Sequence, residues 1–365
     1  MNNKIKLLVA LAEYGLAEMF DSKELRFCHR IVKNNNGIVR EGYSLRYTII
    51  SLLGLNQIQL HHGQSVVDVD IVIEDIISKA DAINNIGDLG LLMWLCALSD
   101  PGKIASLSSQ INIESALRKY KDARQNRTTE LSWFLSGLSH TLLQQKHTAN
   151  PLSEIAADTF TLIKNNYSEQ GIFGHMGQNS AVGRLRGRIG TFSDQVYPIY
   201  AFSKYYEVTQ SVEAKRIASE CAKKICELQG QLGQWWWRYD SIIGNTFGHY
   251  PVYAVHQDGM APMALLAVSE INGTNYNHAI LKGVDWVFGN NEKSFDFRDS
   301  KHNLIWRSFY RNKYRIHGDE ILSFLKINHS VKQKRRLKIL YECRPYHLGW
   351  ILFAFSNKTG TMLPG

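Results

Sequence analysis

An all-α fold is the class that this sequence predicts, and three features of its 365 residues support it. Apolar residues recur with helical periodicity along most of the chain, and strand-like alternation is nearly absent. Two kinds of helix alternate: one is polar along one face, and the other is apolar on all sides, as buried helices are. The first three apolar helices begin 44 residues apart, at Tyr43, Gly87 and Leu131, which indicates a repeated helical hairpin.

Six amphipathic helices each precede one apolar helix. The amphipathic helices are predicted at residues 4–33, 66–84, 111–122, 152–166, 212–229 and 276–288. The apolar helices are predicted at residues 43–55, 87–98, 131–143, 192–206, 258–271 and 346–355. Six such hairpins can close into an (α/α)6 toroid, with the apolar helices as an inner ring and the amphipathic helices as an outer ring. An open superhelix of helix pairs is the alternative, but unequal later spacings, long loops and the lack of a consensus repeat favour the closed ring.

A single domain over residues 1–365 is predicted, with a basic insertion at about 291–343. Hydrophobic residues make up 44% of the chain, which is enough to fill a large core. Glu13 and Glu18 interrupt the apolar run near the N-terminus, and no window reaches the roughly 18 apolar residues of a membrane span. Five scattered cysteines suit reduced thiols better than a disulfide framework. These features predict a cytoplasmic protein.

The net charge of +9 is concentrated in two places. Residues 292–344 carry fourteen Lys and Arg against six Asp and Glu, and Arg184, Arg186 and Arg188 alternate with small and apolar residues. Basic surface attracts polyanions, so we expect an anionic saccharide as the partner, and peripheral contact with an anionic membrane stays open. No nucleic-acid-binding module is recognisable, so nucleic acid is not an expected partner. The sequence does not indicate an oligomeric state.

In a closed ring, every loop that leads from an outer to an inner helix lies at one end of the barrel. The residues in these loops should therefore converge on one mouth, and they are rich in aromatic, basic and acidic side chains. Aromatic rings stack on sugar rings, while Arg and carboxylates bind hydroxyl groups and uronates. Three consecutive tryptophans cannot all be buried on one face, so at least one should line a cleft. The predicted substrate-binding residues are Glu41, Tyr43, Arg46, Asp88, His175, Arg184, Arg186, Arg188, Trp235, Trp236, Trp237, Arg238, His249, Gln257, Arg344 and His347.

Glycoside hydrolysis needs an acid and a second carboxylate in one cleft. Asp258 and Asp194 each begin a predicted inner helix and are the predicted catalytic pair, although Asp at a helix start is also a common N-cap. His256 and Tyr253 are the predicted proton-transfer residues. If the reaction is instead elimination or epimerisation of a uronate, Tyr253 or His256 would abstract the α-proton, and Arg46 or the arginines at 184–188 would neutralise the carboxylate.

Other side chains in the mouth loops are alternative candidates for these roles or neighbours of the candidates. Glu41 and Asp88 are the reserve carboxylates, and the third loop contributes Arg127 and Glu130. Cys343 and His347 lie one helical turn apart and could share a metal ion, but no third or fourth ligand is evident. We therefore predict neither a metal nor another cofactor. Phosphate-binding loops, dinucleotide-binding glycine motifs and the G-x-S-x-G elbow are absent from the sequence.

The six-hairpin pattern is similar to the six-hairpin glycosidases, including unsaturated glucuronyl hydrolases, and to toroid polysaccharide lyases and epimerases. Residues 225–235, ICELQGQLGQW, also resemble the Q-x3-G-x-W repeat of terpenoid cyclases such as squalene-hopene cyclase. The Asp-x-Asp-Asp acid of those cyclases is not reproduced, because Asp68-Val69-Asp70-Ile71 lacks the last Asp and begins an outer helix. The motif therefore indicates a toroid turn more than a chemistry.

Together these observations predict a glycan-active enzyme of the glycoside hydrolase or uronate lyase and epimerase type. Its substrate is expected to be an acidic or lipid-linked saccharide of polysaccharide metabolism. Two alternatives remain open at this point. One is a terpenoid cyclase or prenyl-chain enzyme, and the other is a glycan-binding protein without catalytic activity.

Overall fold

The computed structural model describes residues 3–35, 37–118, 121, 126–145, 151–177, 187–311 and 337–358. Long helices alternate between an outer and an inner position, as predicted. The outer helices are α1 (Asn3–Met19), α3 (Val69–Ser78), α5 (Gly102–Gln110) with α6 (Ile113–Arg118), α8 (Leu152–Lys164), α10 (Val212–Glu227) and α12 (Asn277–Val287). The inner helices are α2 (Leu45–His62), α4 (Ile86–Ser99), α7 (Thr128–Gln144), α9 (Ser193–Thr209), α11 (Ala261–Asn272) and α13 (Pro345–Phe355).

The inner helices form a closed ring. Helix α2 packs against α4, α4 against α7, α7 against α9 and α9 against α11. Helix α11 then packs against α13, and α13 returns to α2, which closes the circle. The outer helices cover the inner ring from outside, as α8 does for α7 and α10 for α9. The predicted (α/α)6 toroid is therefore confirmed, and the open superhelix is excluded.

Glycines allow neighbouring inner helices to approach closely. A Cβ atom on Gly90 of α4 would collide with the backbone of Phe134 in α7, and one on Gly137 of α7 would collide with the carbonyl oxygen of Gly90. Gly54 of α2 and Gly349 of α13 form an equivalent contact where the ring closes. Because these backbones touch directly, the small residues noted in the apolar helices are packing sites.

Side-chain caps fix the start of several helices. Ser44 accepts a hydrogen bond from Tyr47 N at the start of α2, and Asn85 accepts hydrogen bonds from Gly87 N and Asp88 N at the start of α4. Asp68 caps the outer helix α3 by accepting from Ile71 N at 3.2 Å, so this aspartate is a helix cap, as the sequence indicated. The caps on α2 and α4 set where the first mouth residues stand.

The prediction of an unbroken helix over residues 4–33 is wrong in its second half. Helix α1 ends at Met19, and a short strand β1 (Phe20–Asp21) is followed by a hairpin of β2 (Arg26–Asn34) and β3 (Gly37–Tyr43). Strand β2 is mixed in its burial, and β-branched Ile31 and Val32 favour the extended form. The alternation of buried and exposed residues along this half-buried strand is irregular, so its sequence lacks the pattern that predicts a strand.

Short strands also form in the later loops, contrary to the expectation of almost no strand structure. Strands β4 (Ile189–Thr191), β5 (Arg238–Asp240) and β6 (Asn245–Thr246) make one small sheet, and β7 (Val252–Tyr253) pairs with a later strand. All these strands belong to loops that enter inner helices, so they lie at the mouth end of the ring.

The described parts of the basic segment at 291–343 include five short strands. They are β8 (Arg298–Asp299), β9 (Leu304–Ile305), β10 (Ser308–Tyr310), β11 (Lys338–Leu340) and β12 (Glu342–Cys343). Strand β10 pairs with β7, and β12 pairs with β2 near the start of the chain. The segment thus connects the fifth, sixth and first loops across the mouth. None of the helices within the described ranges has the length and apolar character that crossing a membrane requires.

Candidate active site

Two carboxylates lie at the N-termini of adjacent inner helices. Asp88, in the first turn of α4, accepts a hydrogen bond from Arg46 Nε at 2.5 Å. Glu130, in the first turn of α7, is 8% exposed and accepts hydrogen bonds from Asn85 Nδ2 at 3.0 Å and Arg127 Nη1 at 3.3 Å. The two helix starts touch, because a Cβ atom on Gly87 would lie 3.1 Å from Glu130 Cα. The ring thus brings two acidic side chains together although they are 42 residues apart.

Aromatic rings form the floor beside these carboxylates. The Arg46 guanidinium lies 5.1 Å from the ring centre of Trp133, which is a cation–π distance. Trp133 contacts Tyr197 edge to face at 5.0 Å, and Tyr197 lies 5.6 Å from Trp350. Three inner helices, α7, α9 and α13, therefore contribute one ring each to a continuous aromatic floor.

Three arginines surround one buried glutamate on the other side of the mouth. Glu342 Oε1 lies 2.5 Å from Arg344 Nε and 3.4 Å from Arg307 Nε, and its Oε2 lies 2.9 Å from Arg30 Nη1. Burial alone would raise the pKa of Glu342, but Arg307 and Arg344 outweigh it and hold the pKa below its usual value. Burial likewise opposes the charged form of Arg307, but its neighbours, Tyr346 and Glu342 foremost, raise its pKa, so it stays charged. The cluster is therefore an anchored, positively charged wall.

Tyrosines and a tryptophan connect this arginine wall to the fifth loop. Arg307 lies over the ring of Tyr253 at 4.9 Å and donates to Tyr346 Oη at 3.5 Å. Tyr253 contacts Trp237 edge to face at 5.7 Å, and Arg238 stacks on Trp237 at 4.3 Å. Burial is the main reason that the pKa of Tyr253 is raised. Tyr253, Trp237 and Arg238 are thus predicted site residues that the structure does place together.

On the opposite side of Tyr346, the wall continues to the first inner helix. Arg344 donates to Tyr47 Oη at 2.6 Å, and Tyr47 lies 4.6 Å from Tyr346. Tyr47 also stacks on His29 of β2 at 5.3 Å. The predicted residue Arg344 therefore lies in the mouth, held by neighbours that sequence reasoning did not select.

Asp258, the first predicted catalytic residue, is fully buried. It lies in a short π-helix (His256–Met260) just before α11, and its Oδ1 is 2.6 Å from His347 Nε2. Its other carboxylate oxygen has no hydrogen-bond partner among the described residues, and burial raises the pKa of Asp258. Since no part of Asp258 is exposed, direct contact with a substrate is not supported, and we revise its role to holding His347 between two inner helices.

Asp194, the second predicted catalytic residue, is also fully buried and is saturated with hydrogen bonds. Its Oδ1 accepts from the backbone N and the hydroxyl of Thr129, and its Oδ2 accepts from the corresponding groups of Thr191. His175 Nδ1 lies 3.0 Å from Oδ2. A carboxylate with five partners is poorly suited to proton transfer, so its role is revised to fixing the third and fourth loops together and orienting His175.

His256 and Gln257 are buried beside Asp258. Burial lowers the pKa of His256 to about 3, and its ring packs 4.6 Å from Phe192. Gln257 Oε1 accepts from Trp235 N at 2.9 Å, and its Nε2 donates to Trp235 O and Tyr253 O. Gln257 is thus a clamp on the backbone of the fifth loop.

The same clamp occurs one hairpin earlier. Gln195 accepts from Phe173 N at 2.9 Å and donates to Phe173 O at 2.9 Å. The clamped residues, Phe173 and Trp235, have fully buried side chains. Each follows by two positions a glycine with positive φ, Gly171 in the first case and Gly233 in the second. This internal repeat supports the interpretation of the Q-x3-G-x-W segment as a toroid turn.

The remaining predicted residues are scattered over the rim or the core. Trp235 is fully buried, whereas Trp236 stacks on exposed His249 at 4.3 Å. Glu41 pairs with Arg30 within the β2–β3 hairpin, and exposed Tyr43 donates to Asp21. Arg188 pairs with Asp240 at 2.5 Å and so fixes the fourth loop to the fifth. Arg184 and Arg186 lie outside the described residues.

The geometry offers no metal centre in the part of the chain that the structure describes: no three His, Cys, Asp or Glu side chains group suitably there. Cys343 is buried in β12, and burial raises the pKa of its thiol to about 12. His347 Nε2 is already bonded to Asp258. The expected one-turn spacing is wrong, because Cys343 lies in a strand and His347 in the following helix; Cys343 packs in the core, and His347 contacts Asp258.

The closed ring of six hairpins defines an (α/α)6 toroid, and solved structures share it over nearly the whole chain. An unsaturated glucuronyl hydrolase specific for heparin superposes with a TM-score of 0.61 at 14% identity, covering 99% of this chain and 98% of that one. A possible GH105 family member from Salmonella enterica serovar Paratyphi A gives 0.59 at 10% identity, covering 97% and 93%. An unsaturated glucuronyl hydrolase from Streptococcus agalactiae gives 0.55 at 10% identity, covering 96% and 89%.

These structures confirm the predicted resemblance to six-hairpin glycosidases at the level of the fold. No protein-family model and no curated protein sequence matches the chain. At 10–14% identity the likeness carries the architecture, and the chemistry has to be argued from the side chains of this chain.

Proposed function

We propose that this protein is a glycan-active hydrolase that removes an unsaturated glucuronyl group from an acidic saccharide. The observation that carries the proposal is the pair of Asp88 and Glu130 on adjacent inner-helix starts, at the same mouth as the wall of Arg307 and Arg344. The neighbours of the same fold include unsaturated glucuronyl hydrolases. A mutant of the one from Streptococcus agalactiae was crystallised with dGlcA-GalNAc6S.

The two carboxylates have different surroundings and so receive different roles. Asp88 accepts a charge-assisted hydrogen bond from the permanently charged Arg46, and this bond fixes the side chain at the start of α4. We assign Asp88 to accept a proton from the attacking water. We assign Glu130, held by Asn85 and Arg127 on the adjacent helix start, to donate a proton to the glycosidic oxygen as the bond from that oxygen to C1 of the unsaturated sugar breaks. The water oxygen bonds to C1, its proton goes to Asp88, and the rest of the saccharide leaves as an alcohol, so that one water is consumed. The released unsaturated uronate opens to a keto acid, which removes the double bond.

The uronate carboxylate is assigned to the arginine wall. Arg307 and Arg344 both pair with one buried glutamate, Glu342, so their positive charge is only partly neutralised. Because both arginines are largely buried, water screens the attraction between this charge and an anion only weakly. Trp133 and Tyr197 are buried and pack edge to face beside the carboxylates, so they fix the base of the mouth. This arrangement fits an acidic ring with its charge toward Arg307 and its reacting end toward Glu130.

Hydrolysis is favoured over elimination or epimerisation by the state of the bases. An α-proton is removed by a strong base, and the sequence assigned that role to His256 or Tyr253. Burial lowers the pKa of His256 to about 3, and it raises the pKa of Tyr253, so neither side chain is a good base near neutral pH.

The decisive experiment is an assay on an unsaturated glucuronyl disaccharide, followed by loss of the ultraviolet absorbance of its double bond. Wild-type protein is expected to remove the absorbance, and Glu130→Gln and Asp88→Asn should each lower kcat by about 100-fold or more, as expected for general acid–base groups. Glu74→Gln, the same change on an exposed outer-helix position, is the matched control and should keep full activity.

Other outcomes would identify the alternatives. An increase in absorbance from a saturated polymer would indicate a lyase and contradict the hydrolase assignment. Binding of the disaccharide without turnover would indicate a glycan-binding protein. The lipid-linked substrate, the cytoplasmic location and the place in polysaccharide metabolism are further parts of the proposal, and localisation of the tagged chain with analysis of its released sugars tests them.

A further inference from the structure

A separate cavity lies at the opposite end of the ring from the mouth. It has a volume of about 170 Å³, and all six inner helices contribute to its lining, mostly from their C-terminal halves. Two fully buried tryptophans lie 5.7 Å apart: Trp350 belongs to the aromatic floor of the mouth, and Trp94 packs against Tyr200 and Phe353 of the cavity lining. Since these rings fill the centre of the ring, the cavity does not communicate with the mouth.

The lining combines apolar surface with fixed polar groups. Met263, Ala267 and Phe353 supply apolar surface. On another side, His140 Nε2 lies 2.9 Å from Tyr200 Oη. These two rings stack on Trp94, with ring centres 5.4 Å and 4.6 Å away, so their polar atoms are held in position. The indole N–H of Trp94 makes no hydrogen bond within the described residues.

Polar side chains also stand at the edge of the cavity. Gln57, Lys204, Glu270 and Asn357 belong to the lining, and Lys204 Nζ lies 2.7 Å from Glu207 and 3.7 Å from Glu270. Its charge is therefore balanced by neighbouring carboxylates. His140 is neutral at physiological pH, because burial lowers its pKa to about 3. A charged ligand would face no excess of opposite charge, whereas a ligand with several hydroxyl groups would find both donors and acceptors.

Size and shape narrow the ligand further. An apolar cavity of about 150 Å³ holds one six-membered ring such as benzene, so 170 Å³ is enough for a single ring. A pyranose has an apolar face for Phe353 and a rim of hydroxyl groups for Tyr200, His140 and Gln57. We propose that this cavity binds one neutral pyranose ring, as a site distinct from the catalytic mouth. The binding does not depend on the hydrolase assignment.

The test is calorimetric titration of the full chain with glucose, galactose and mannose, and with glucuronate as the charged analogue. At least one neutral hexose is expected to bind with a dissociation constant in the millimolar range, and glucuronate at least fivefold more weakly. Ala267→Leu adds carbon atoms to the cavity wall and should weaken hexose binding tenfold or more. Ala157→Leu, the same change on the exposed face of α8, is the control and should not alter binding.

A second variant protects the test against misfolding. Tyr200→Phe removes only the hydroxyl group and should weaken binding several-fold; because it also leaves buried His140 Nε2 without this partner, the titration is made well below the thermal midpoint of the variant. The mouth variant Glu130→Gln should bind hexose as wild type does, which separates this site from the proposed active site. Absence of binding by all three hexoses would overturn the inference, as would loss of binding in Glu130→Gln or unchanged binding in Ala267→Leu.

Discussion

The Gln257 clamp offers a direct test of how the toroid positions its mouth. Gln257 is fully buried, and its amide makes three hydrogen bonds to the backbone of Trp235 and Tyr253. Gln257→Leu keeps a similar volume but leaves one backbone N–H and two carbonyl groups without this partner. Each lost bond or orphaned group costs about 1–2 kcal/mol, so the free energy of unfolding should fall by about 3–5 kcal/mol.

The same change should affect activity as well as stability. Tyr253 lies beneath Arg307, and a loosened Tyr253 backbone moves the surface on which the proposed substrate rests. We expect kcat/KM on the unsaturated disaccharide to fall about tenfold or more, even at temperatures where the variant is fully folded. Gln257→Glu keeps an acceptor for Trp235 N but cannot donate, so its stability should lie between those of wild type and Gln257→Leu.

Chemical denaturation and steady-state kinetics measure the two effects. Gln231→Leu is the matched control, because Gln231 is exposed in the same segment, and it should change both quantities little. A Gln257→Leu protein with the stability of wild type would refute the clamp argument. Lost stability with unchanged kcat/KM would show that the clamp supports the fold without positioning the mouth.

Three further predictions follow from buried or closely packed groups. His140 has a pKa of about 3 in the folded protein and an ordinary pKa in the unfolded chain, so at pH values between the two only the unfolded chain binds the proton. The free energy of unfolding should therefore rise with pH by about 1.4 kcal/mol per unit in this range. Denaturation at pH 4–6 should show that His140→Gln lacks this contribution. Asp258→Asn should retain at least tenfold more activity than Glu130→Gln, and equal loss in the disaccharide assay would contradict the revised roles. Arg307→Met should raise KM for the acidic disaccharide about tenfold with a smaller change in kcat, whereas a change confined to kcat would remove Arg307 from carboxylate binding.

The inner ring was predictable from sequence because its signal is local. All six apolar helices begin within three residues of the predicted positions, and their composition alone indicates burial on all sides. Helix α5 was missed, and the outer segment was predicted only at residues 111–122, because few apolar residues mark α5 (Gly102–Gln110). Most of the mouth strands are two or three residues long and find partners far along the chain, as β12 does in β2, so no short sequence window contains their pattern.

The candidate site was predicted only in part, for a reason that applies to each inner-helix start. Such a start has one side toward the mouth and another toward the neighbouring hairpin. Sequence position identified Asp194 and Asp258 as helix-start carboxylates, but the structure directs both toward neighbouring elements, to Thr129, His175 and His347. Which side a residue takes depends on the rotation of its helix, and the closing contacts of the ring set that rotation.

Asp194 and Asp258 nevertheless follow a rule that links fold and site. Each adjoins a clamping glutamine, Gln195 in one hairpin and Gln257 in the next, and each bonds a histidine, His175 of the loop entering α9 in one case and His347 of α13 in the other. The glutamine fixes the preceding loop and the aspartate fixes a distant one, so the two adjacent residues lock three segments at the mouth. Asp88 and Glu130 lie at helix starts that have no adjacent clamping glutamine, and their carboxylates bind Arg46 and Asn85 at the mouth. The side chains suited to chemistry are therefore those at starts where the loops need no such lock.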